Sequence, residues 1–171
     1  MKILITGSKG FIGSHLIPEL RKDYKIQEWD LHNGDDIFSD LFQYSLRKSD
    51  VVVHLAALTN VNASFEEPEE FFKANVLGTA RVLELAHKYK VKVIYPSSAA
   101  VYHPELSPYA ESKALAEQIC AGFLNNTTIL RFFNIYGPGM NENSGSLMYQ
   151  FVKGLKEGKL VVYGDGEQTR D

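Results

Sequence analysis

Tyr109-Ala-Glu-Ser-Lys113 sets a phenol and an ammonium four residues apart. On a helix that spacing puts both on one face. An ammonium held near a phenol favours the phenolate, so a group that ordinarily titrates near pH ~10 is expected to act as a base near neutrality. At the other end of the chain, Gly7-Ser-Lys-Gly10-Phe-Ile-Gly13 forms a glycine-rich turn between the apolar run Ile3-Leu-Ile and a helix-like stretch. Such a turn lets backbone N–H groups and a helix N-terminus approach a pyrophosphate. Either string alone arises by chance. Their occurrence together, in this order and about a hundred residues apart, points to a dinucleotide site beside a tunable proton-transfer group. The chemistry this suggests is redox at a carbon bearing a hydroxyl.

The elements that would position these groups follow from the hydrophobic pattern. Short apolar runs alternate with longer segments of helical period, the pattern of a parallel sheet covered on both faces. Strands are expected over Lys2–Thr6, Lys25–Asp30, Asp50–Leu55, Val91–Pro96, Thr127–Phe132 and Lys159–Tyr163. Helices are expected over Phe11–Lys22, Phe38–Arg47, Glu67–Lys90, Tyr109–Phe123 and Ser146–Gly158. Pro18 falls inside the first helix, which must kink or tolerate it. Only Leu31 to Asp35 separates Asp30 from Asp36. A full crossover with a return strand needs about ten residues or more, so the second crossover must be abbreviated.

Asp30 ends the second strand, 17 residues after Gly13. A carboxylate there can accept both ribose hydroxyls and repels a 2′-phosphate. Leu31 and His32 follow it, with no arginine to neutralise such a phosphate, which selects NAD over NADP. His54-Leu-Ala-Ala57 closes the third strand with small side chains that let a dinucleotide lie close to the backbone. His54 itself, flanked by apolar residues at a strand end, reads as a satisfied structural group. Asn75 falls mid-helix, where asparagine is a poor former, and if it faces the sheet it needs a polar partner.

The bulk properties set the frame. A chain of 171 residues buries one substantial core. It carries 18 basic and 21 acidic residues and no Lys/Arg run, which gives no footprint for nucleic acid. One cysteine, Cys120, excludes an internal disulfide and fits a reducing compartment. No apolar run reaches membrane-spanning length, and the expected location is the cytoplasm.

With these pieces placed, the chain resembles the extended short-chain dehydrogenase/reductases, the NAD-dependent sugar-nucleotide epimerase/dehydratase group, and within it most resembles the UDP-glucose 4-epimerases. The matching strings are Ile-Thr-Gly7-Ser-Lys-Gly10-Phe-Ile-Gly13, Asp36-Ile, Val-Val-His-Leu-Ala-Ala57, Asn75-Val-Leu-Gly-Thr, Pro-Ser-Ser98-Ala-Ala-Val-Tyr, Pro-Tyr109-Ala-Glu-Ser-Lys113, Leu-Arg-Phe-Phe-Asn134-Ile-Tyr-Gly-Pro and Tyr-Gly-Asp-Gly-Glu-Gln-Thr-Arg170-Asp. The resemblance implies an α/β fold, a Rossmann-like doubly wound parallel sheet over residues 1–171, with 134–171 beginning a C-terminal substrate lobe that is incomplete. It implies NAD held at Gly7, Gly10, Phe11, Ile12 and Gly13 for the pyrophosphate, Asp30 for the adenosine ribose, and Asp36 and Ile37 for the adenine. Leu55, Ala56, Ala57 and Thr59 would line the nicotinamide half, supported by Asn75, with Phe133 flanking the ring. Ser98, Tyr109 and Lys113 match the catalytic trio and would also touch cofactor, while Ser98, Tyr109, Asn134 and Arg170 would meet the sugar nucleotide. Relatives pair the helices over 67–90 and 109–123 across a two-fold axis. That implies a homodimer, with Phe71, Phe72, Val76, Leu83, Leu115, Ile119 and Phe123 offering apolar surface.

Ala99 and Ala100 choose within the group. Its dehydratases and decarboxylases usually carry an acid at one or both of these positions, and a methyl group does no acid–base work. The segment looks like the 4-epimerase branch, acting at C4 of a nucleoside-diphosphate sugar through a transient ketone. Only six residues separate Tyr102 from Tyr109, His103 stands where a glycine is usual, and Thr59 stands where some hexose epimerases have a lysine. Three other readings stay open on the sequence: a nucleotide-sugar dehydratase, a keto-sugar reductase, and a catalytically idle NAD-binding module.

Overall fold

The structure is a computed structural model, and it describes residues 1–123, 125–140, 146–162, 164–167 and 169. The chain divides into two compact units, Met1–Arg131 and Phe132–Asp171. The first is built on a sheet whose strands are β1 (Lys2–Thr6), β2 (Lys25–Trp29), β3 (Val51–His54), β4 (Lys92–Ser98) and β5 (Thr127–Phe132). Its helices are α1 (Phe11–Leu20), α2 (Asp40–Leu46), α3 (Val61–Glu66), α4 (Pro68–Phe71), α5 (Gly78–Tyr89) and α6 (Pro108–Ala121). In the second unit, α7 (Leu147–Glu157) is followed by residues 159–162, which carry no strand. The expected sixth strand is therefore absent from its described part, and Tyr163 lies outside the described residues.

The strand order is β2-β1-β3-β4-β5, with β1, β2, β3 and β4 paired in parallel. Alternation along each strand splits the core into two layers. Leu4, Val52 and Val93 point to one face, where Phe42 and Leu46 of α2, Val82 and Leu85 of α5 and Ala116 and Cys120 of α6 close over them. Ile3, Ile5 and Val53 point to the other face and meet Ile17 of α1. A strand buried on both faces needs apolar residues at every position, which is why β1 reads Ile-Leu-Ile without alternation. Each fully buried Ile, Leu or Val contributes about 1.5–3 kcal/mol.

Pro18 lies inside α1, which runs unbroken to Leu20. It is on the exposed side, so the carbonyl it leaves without a helical donor faces water and the helix tolerates it. The second crossover is short, as the Asp30–Asp36 spacing requires. A 3-10 turn over Leu31–Asn33 and a left-handed Gly34 lead to α2 and then straight to β3. The chain therefore reverses its direction of strand addition between β1 and β3. In open α/β sheets the crevice at that reversal, outside the carboxyl ends of the strands, is where ligands sit. Register brings Thr6 opposite both Trp29 and His54, so Gly7, Asp30 and Leu55 leave the sheet side by side.

Candidate functional site

Gly7 turns the chain out of β1 with φ +67, and a Cβ there would lie 2.6 Å from the Ala56 nitrogen. A Cβ on Gly13 would lie 2.6 Å from the Ser8 carbonyl oxygen. The first glycine thus lets the turn pass against the end of β3, and the second seats α1 on the turn. Gly10 is the N-cap of α1 and offers no capping side chain, and no acid stands in the first turn. The opening N–H groups, those of Phe11 and Ile12 among them, and the positive end of the helix dipole remain available to an anion. Asp30 sits beside this turn, its Oδ2 accepting from the Lys9 N–H at 2.7 Å and its Oδ1 from the His32 N–H at 3.0 Å and His32 Nδ1 at 2.8 Å. Burial pushes its carboxyl up, but the His32 and Lys9 backbone donors and the His32 ring outweigh that and hold it below the ordinary value. Asp30 is an anion here, with lone pairs left for ribose hydroxyls. Asp36 Oδ1 accepts from the Phe38 N–H at 2.9 Å, and Ile37 packs on the larger core layer, which fixes the segment beyond Asp30. An uncapped helix start, close-packed glycines and a fixed strand-end carboxylate fit a dinucleotide.

Leu55, Ala56 and Ala57 are half-buried and Thr59 is exposed on the loop after β3. Two buried groups hold that loop. Thr6 Oγ1 accepts from the Ala56 N–H at 3.2 Å and bonds His54 Nδ1 at 2.7 Å, and His54 Nε2 meets Thr79 Oγ1 at 3.2 Å. Burial, aided by the Lys113 charge, holds the imidazole down to about 3, so His54 is a neutral structural group. Asn75 is the second. Its Oδ1 accepts from the Leu58 N–H at 2.8 Å, and its Nδ2 donates to the Leu58 carbonyl and to Ser112 Oγ, both at 2.9 Å. The expected helix over 67–90 is locally widened here: Phe72–Leu77 winds as a π-helix between α4 and α5. Such insertions concentrate at functional sites, and this one gives Asn75 its reach.

Ser107 caps α6, accepting from the Ala110 N–H at 3.1 Å, and Pro108 stands in the first turn. This Ser-Pro start places Tyr109 in the opening turn of α6, with Lys113 one turn deeper. The Tyr109 ring meets Phe71 edge-on, centroids 6.5 Å apart. Ser98 ends β4 and accepts from the Ala100 N–H at 3.1 Å, and its hydroxyl lies close enough to Tyr109 to act on the phenol. Burial pushes the Tyr109 phenol above its ordinary value, and the nearby Ser98 hydroxyl pulls against it. This departs from the expectation that Lys113 lowers the phenol. Lys113 Nζ instead donates to the Pro96 carbonyl at 2.8 Å and lies 4.3 Å from the centre of the Tyr95 ring. Burial holds the Lys113 ammonium down to about 8, while Cys120 and Glu117 pull it back up.

Ser98, Tyr109 and Lys113 therefore stand together in the first unit. Phe133 and Asn134 follow β5 in the second unit, and Arg170 lies outside the described residues. Reasoning from the sequence missed Ser112, which joins Asn75 to the Tyr109 carbonyl by donating to it at 2.8 Å. Its one signal was a small hydroxyl between Tyr109 and Lys113. Thr6 and Thr79 were missed as well, although a polar residue just before Gly7 in an otherwise apolar strand marked the first.

A model of the NAD dependent epimerase/dehydratase family matches residues 3–171. UDP-N-acetyl-alpha-D-glucosaminuronate decarboxylase of Bacillus cytotoxicus is 31% identical over 99% of this chain and 66% of its own length. A putative UDP-glucose 4-epimerase of Methanocaldococcus jannaschii is 32% identical over 99% of this chain and 68% of its own. Among solved structures, a Y149F mutant of UDP-glucuronic acid 4-epimerase from Bacillus cereus, in complex with UDP-4-deoxy-4-fluoro-glucuronic acid and NAD, superposes with a TM-score of 0.87. It is 31% identical and is covered over 100% of this chain and 68% of its own. The chain thus spans about two thirds of these relatives and about half of several others.

Proposed function

The chain belongs to the NAD dependent epimerase/dehydratase family, and on that premise we propose that it epimerises a nucleoside-diphosphate sugar at C4. The observation that carries this reading is the placement of Ser98 beside the Tyr109 phenol, at a strand end whose next two residues are alanines. Ala99 and Ala100 form a 3-10 turn with Val101 and Tyr102, and they carry methyl groups where dehydratases and decarboxylases of the group usually carry an acid.

NAD is the cofactor, and when bound it supplies the hydride acceptor and donor for the sugar carbon. In our reading the turn from Gly7 to Gly13 and the start of α1 hold its pyrophosphate, Asp30 its adenosine ribose, and the segment from Asp36 to Ile37 its adenine. Leu55, Ala56, Ala57 and Thr59, backed by Asn75, line the nicotinamide half, and Phe133 flanks the ring. Tyr109 moves the proton of the reacting hydroxyl at its Oη, and Ser98 orients that oxygen. Since Ser98 Oγ accepts from Ala100, its one proton is left to be donated to that oxygen. Burial keeps the phenol protonated until positive charge arrives beside it, and Lys113, with donors left beyond the Pro96 bond, holds such charge in place. Asn134 and Arg170 are assigned to the sugar nucleotide.

The test is conversion of UDP-glucose to UDP-galactose, or the reverse, by purified protein without added cofactor. Interconversion that Tyr109→Phe abolishes supports the reading, with a loss of about 100-fold or more expected for an acid–base group. Turnover only with added NADH makes it a reductase, and silence across a panel of nucleotide sugars makes it an NAD-binding module.

Two further readings belong here. Cys120 is buried and free, and no helix among the described residues is long and apolar enough to cross a membrane, which supports a cytoplasmic location. The outer faces of the helix over 68–89 and of α6 support a homodimer, with Phe72, Val76, Leu115, Ile119 and Phe123 at least part-exposed. Phe71 and Leu83 pack inside the chain and drop out of that face. Sedimentation as a monomer at tens of micromolar rules the dimer out.

A further inference from the structure

Behind Ser98 stands an ion pair that the reading above leaves without a role. Glu117 lies on α6 one turn past Lys113, and its carboxylate is nearly buried, with 14% of the side chain exposed. Ser97, the neighbour of Ser98 at the end of β4, donates its hydroxyl to Glu117 Oε2 at 2.5 Å. Arg131 of β5 grips the same carboxylate with Nε at 3.0 and 3.2 Å from its two oxygens and Nη2 at 2.5 Å from Oε1. The Arg131 guanidinium carbon lies 4.9 Å from the centre of the Tyr102 ring, and Arg131 hydrogen-bonds the Tyr102 hydroxyl. Ser97 and Tyr102 bracket Ser98, one at the strand end before it and one at the close of the turn after it. Both ends of that segment are thereby bound through a single bidentate pair to the helix that carries Tyr109 and Lys113. A bidentate Arg–carboxylate fixes direction as well as distance, and displacements of about 1 Å at reacting groups can cost 100-fold in rate.

We propose that Glu117 and Arg131 are a positioning pair for the acid–base site, holding the segment from Ser97 to Tyr102 against α6 so that Ser98 meets the Tyr109 hydroxyl. The inference rests on the assignment of Ser98, Tyr109 and Lys113 as the reacting trio. It carries an electrostatic consequence. Lys113 is faced by Tyr95 from β4, His54 from β3, Glu117 and Cys120 from α6, and Arg131 of β5 behind Glu117, with Tyr109 one turn earlier on its own helix. Burial keeps His54, Tyr95, Tyr109 and Cys120 neutral near pH 7, which leaves Glu117 as the one anion among them. Removing its charge makes the Lys113 ammonium easier to deprotonate.

The experiment uses the full chain with NAD, the variants Glu117→Gln and Ser97→Ala, and Tyr109→Phe as control. The first readout needs no turnover. The 13Cζ resonance of Tyr109, assigned by its loss in Tyr109→Phe, is expected to shift at neutral pH in both variants as Ser98 moves relative to the phenol. The second is the pH profile of sugar interconversion. Glu117→Gln is expected to lower kcat by about 10-fold, with KM within about twofold, since ground-state binding is untouched. It also moves the alkaline limb to lower pH, whereas Ser97→Ala lowers kcat without moving that limb. A pair that only supports the fold lowers Tm and leaves the Tyr109 resonance and the alkaline limb in place, and that result overturns the proposal. Should Glu117→Gln fail to fold, an unshifted Tyr109 resonance in Ser97→Ala overturns it equally. If Tyr109→Phe keeps its activity, the assignment of the trio has failed. If Tyr109→Phe is dead while Glu117→Gln matches the unmodified protein, only the positioning role has.

Discussion

Lys113→Met is expected to stabilise the protein at neutral pH while removing its activity. The buried ammonium is held down from 10.5 to about 8 by loss of solvation. The unfolded chain therefore holds that proton more tightly than the folded chain, and each pH unit of difference corresponds to ~1.4 kcal/mol. The full difference sets an upper bound of ~3.5 kcal/mol on what burying the charge costs. Two contacts oppose the gain on substitution. The bond from Nζ to the Pro96 carbonyl contributes ~1–2 kcal/mol and leaves a buried acceptor when it goes. Attraction to the Tyr95 ring contributes ~1 kcal/mol more, and the thioether recovers part of that by packing on the aromatic face.

The net expectation is a gain of ~0.5–1.5 kcal/mol at pH 7. Its pH dependence has a definite sign. Below pH 8 the lysine is charged in both states and the full cost is present. Between pH 8 and 10.5 the folded chain releases the proton while the unfolded chain keeps it, so the stability of the unmodified protein rises with pH. Above 10.5 the lysine is neutral in both states and the advantage of Met disappears. Urea unfolding of both proteins at pH 7, 9 and 10.5 reads the gap directly. A gap that stays constant with pH, or a variant less stable at pH 7 by ~1 kcal/mol or more, refutes the account of Lys113 as a desolvated cation.

Two more outcomes follow. Asp30→Ala is expected to narrow a preference for NAD over NADP, because it removes both an acceptor for ribose hydroxyls and a repulsion against phosphate; calorimetry that finds NADP preferred by the unmodified protein removes Asp30 from the cofactor site. Asn75→Leu breaks three hydrogen bonds and buries an unpaired Ser112 acceptor. The expected loss is ~2–3 kcal/mol, seen as a fall in Tm of ~4–12 °C for a chain of this length, together with weaker NAD binding as the loop over 55–59 loosens. A Tm within 2 °C of the unmodified protein counts against it.

What the sequence disclosed, and what it hid, divides along a physical line. The strands were legible because burial on both faces demands uninterrupted apolar runs, as in Ile3-Leu-Ile and Val51-Val-Val. The glycine turn was legible because Gly7 and Gly13 tolerate no Cβ. The Ser-Pro start of α6 fixed which turn carries Tyr109. The π segment over Phe72–Leu77 was not legible: Asn75 at its middle bonds Leu58 and Ser112, partners 17 and 37 residues away that no local pattern discloses. A 3.6-residue pattern passes through such an insertion with only a small phase slip. Residues Val61–Glu66 escaped for a related reason, since a single turn and a half capped by Asn60 shows almost no periodicity. The direction of the Lys113 side chain was likewise hidden. Spacing placed it on the face of Tyr109, but the carbonyl of Pro96 and the ring of Tyr95, both from another element, decided where its charge went.

Proton counting extends this to the polar core. Thr79 donates its one hydroxyl proton to the Asn75 carbonyl at 2.6 Å, so its oxygen can only accept from His54. His54 therefore carries its proton on Nε2, and Nδ1 accepts from Thr6, whose oxygen in turn accepts from the Ala56 N–H. Every donor in the path from Ala56 through Thr6, His54 and Thr79 to Asn75 has one acceptor, and every link is satisfied only while His54 is neutral. The Asn75 side chain then continues the path through Ser112 to the Tyr109 carbonyl. The loop assigned to the nicotinamide and the first turn of α6 are thus tied together by one buried chain of hydrogen bonds. A histidine that titrated near pH 7 would break that chain in the middle, and its deep burial between two threonines is what prevents it.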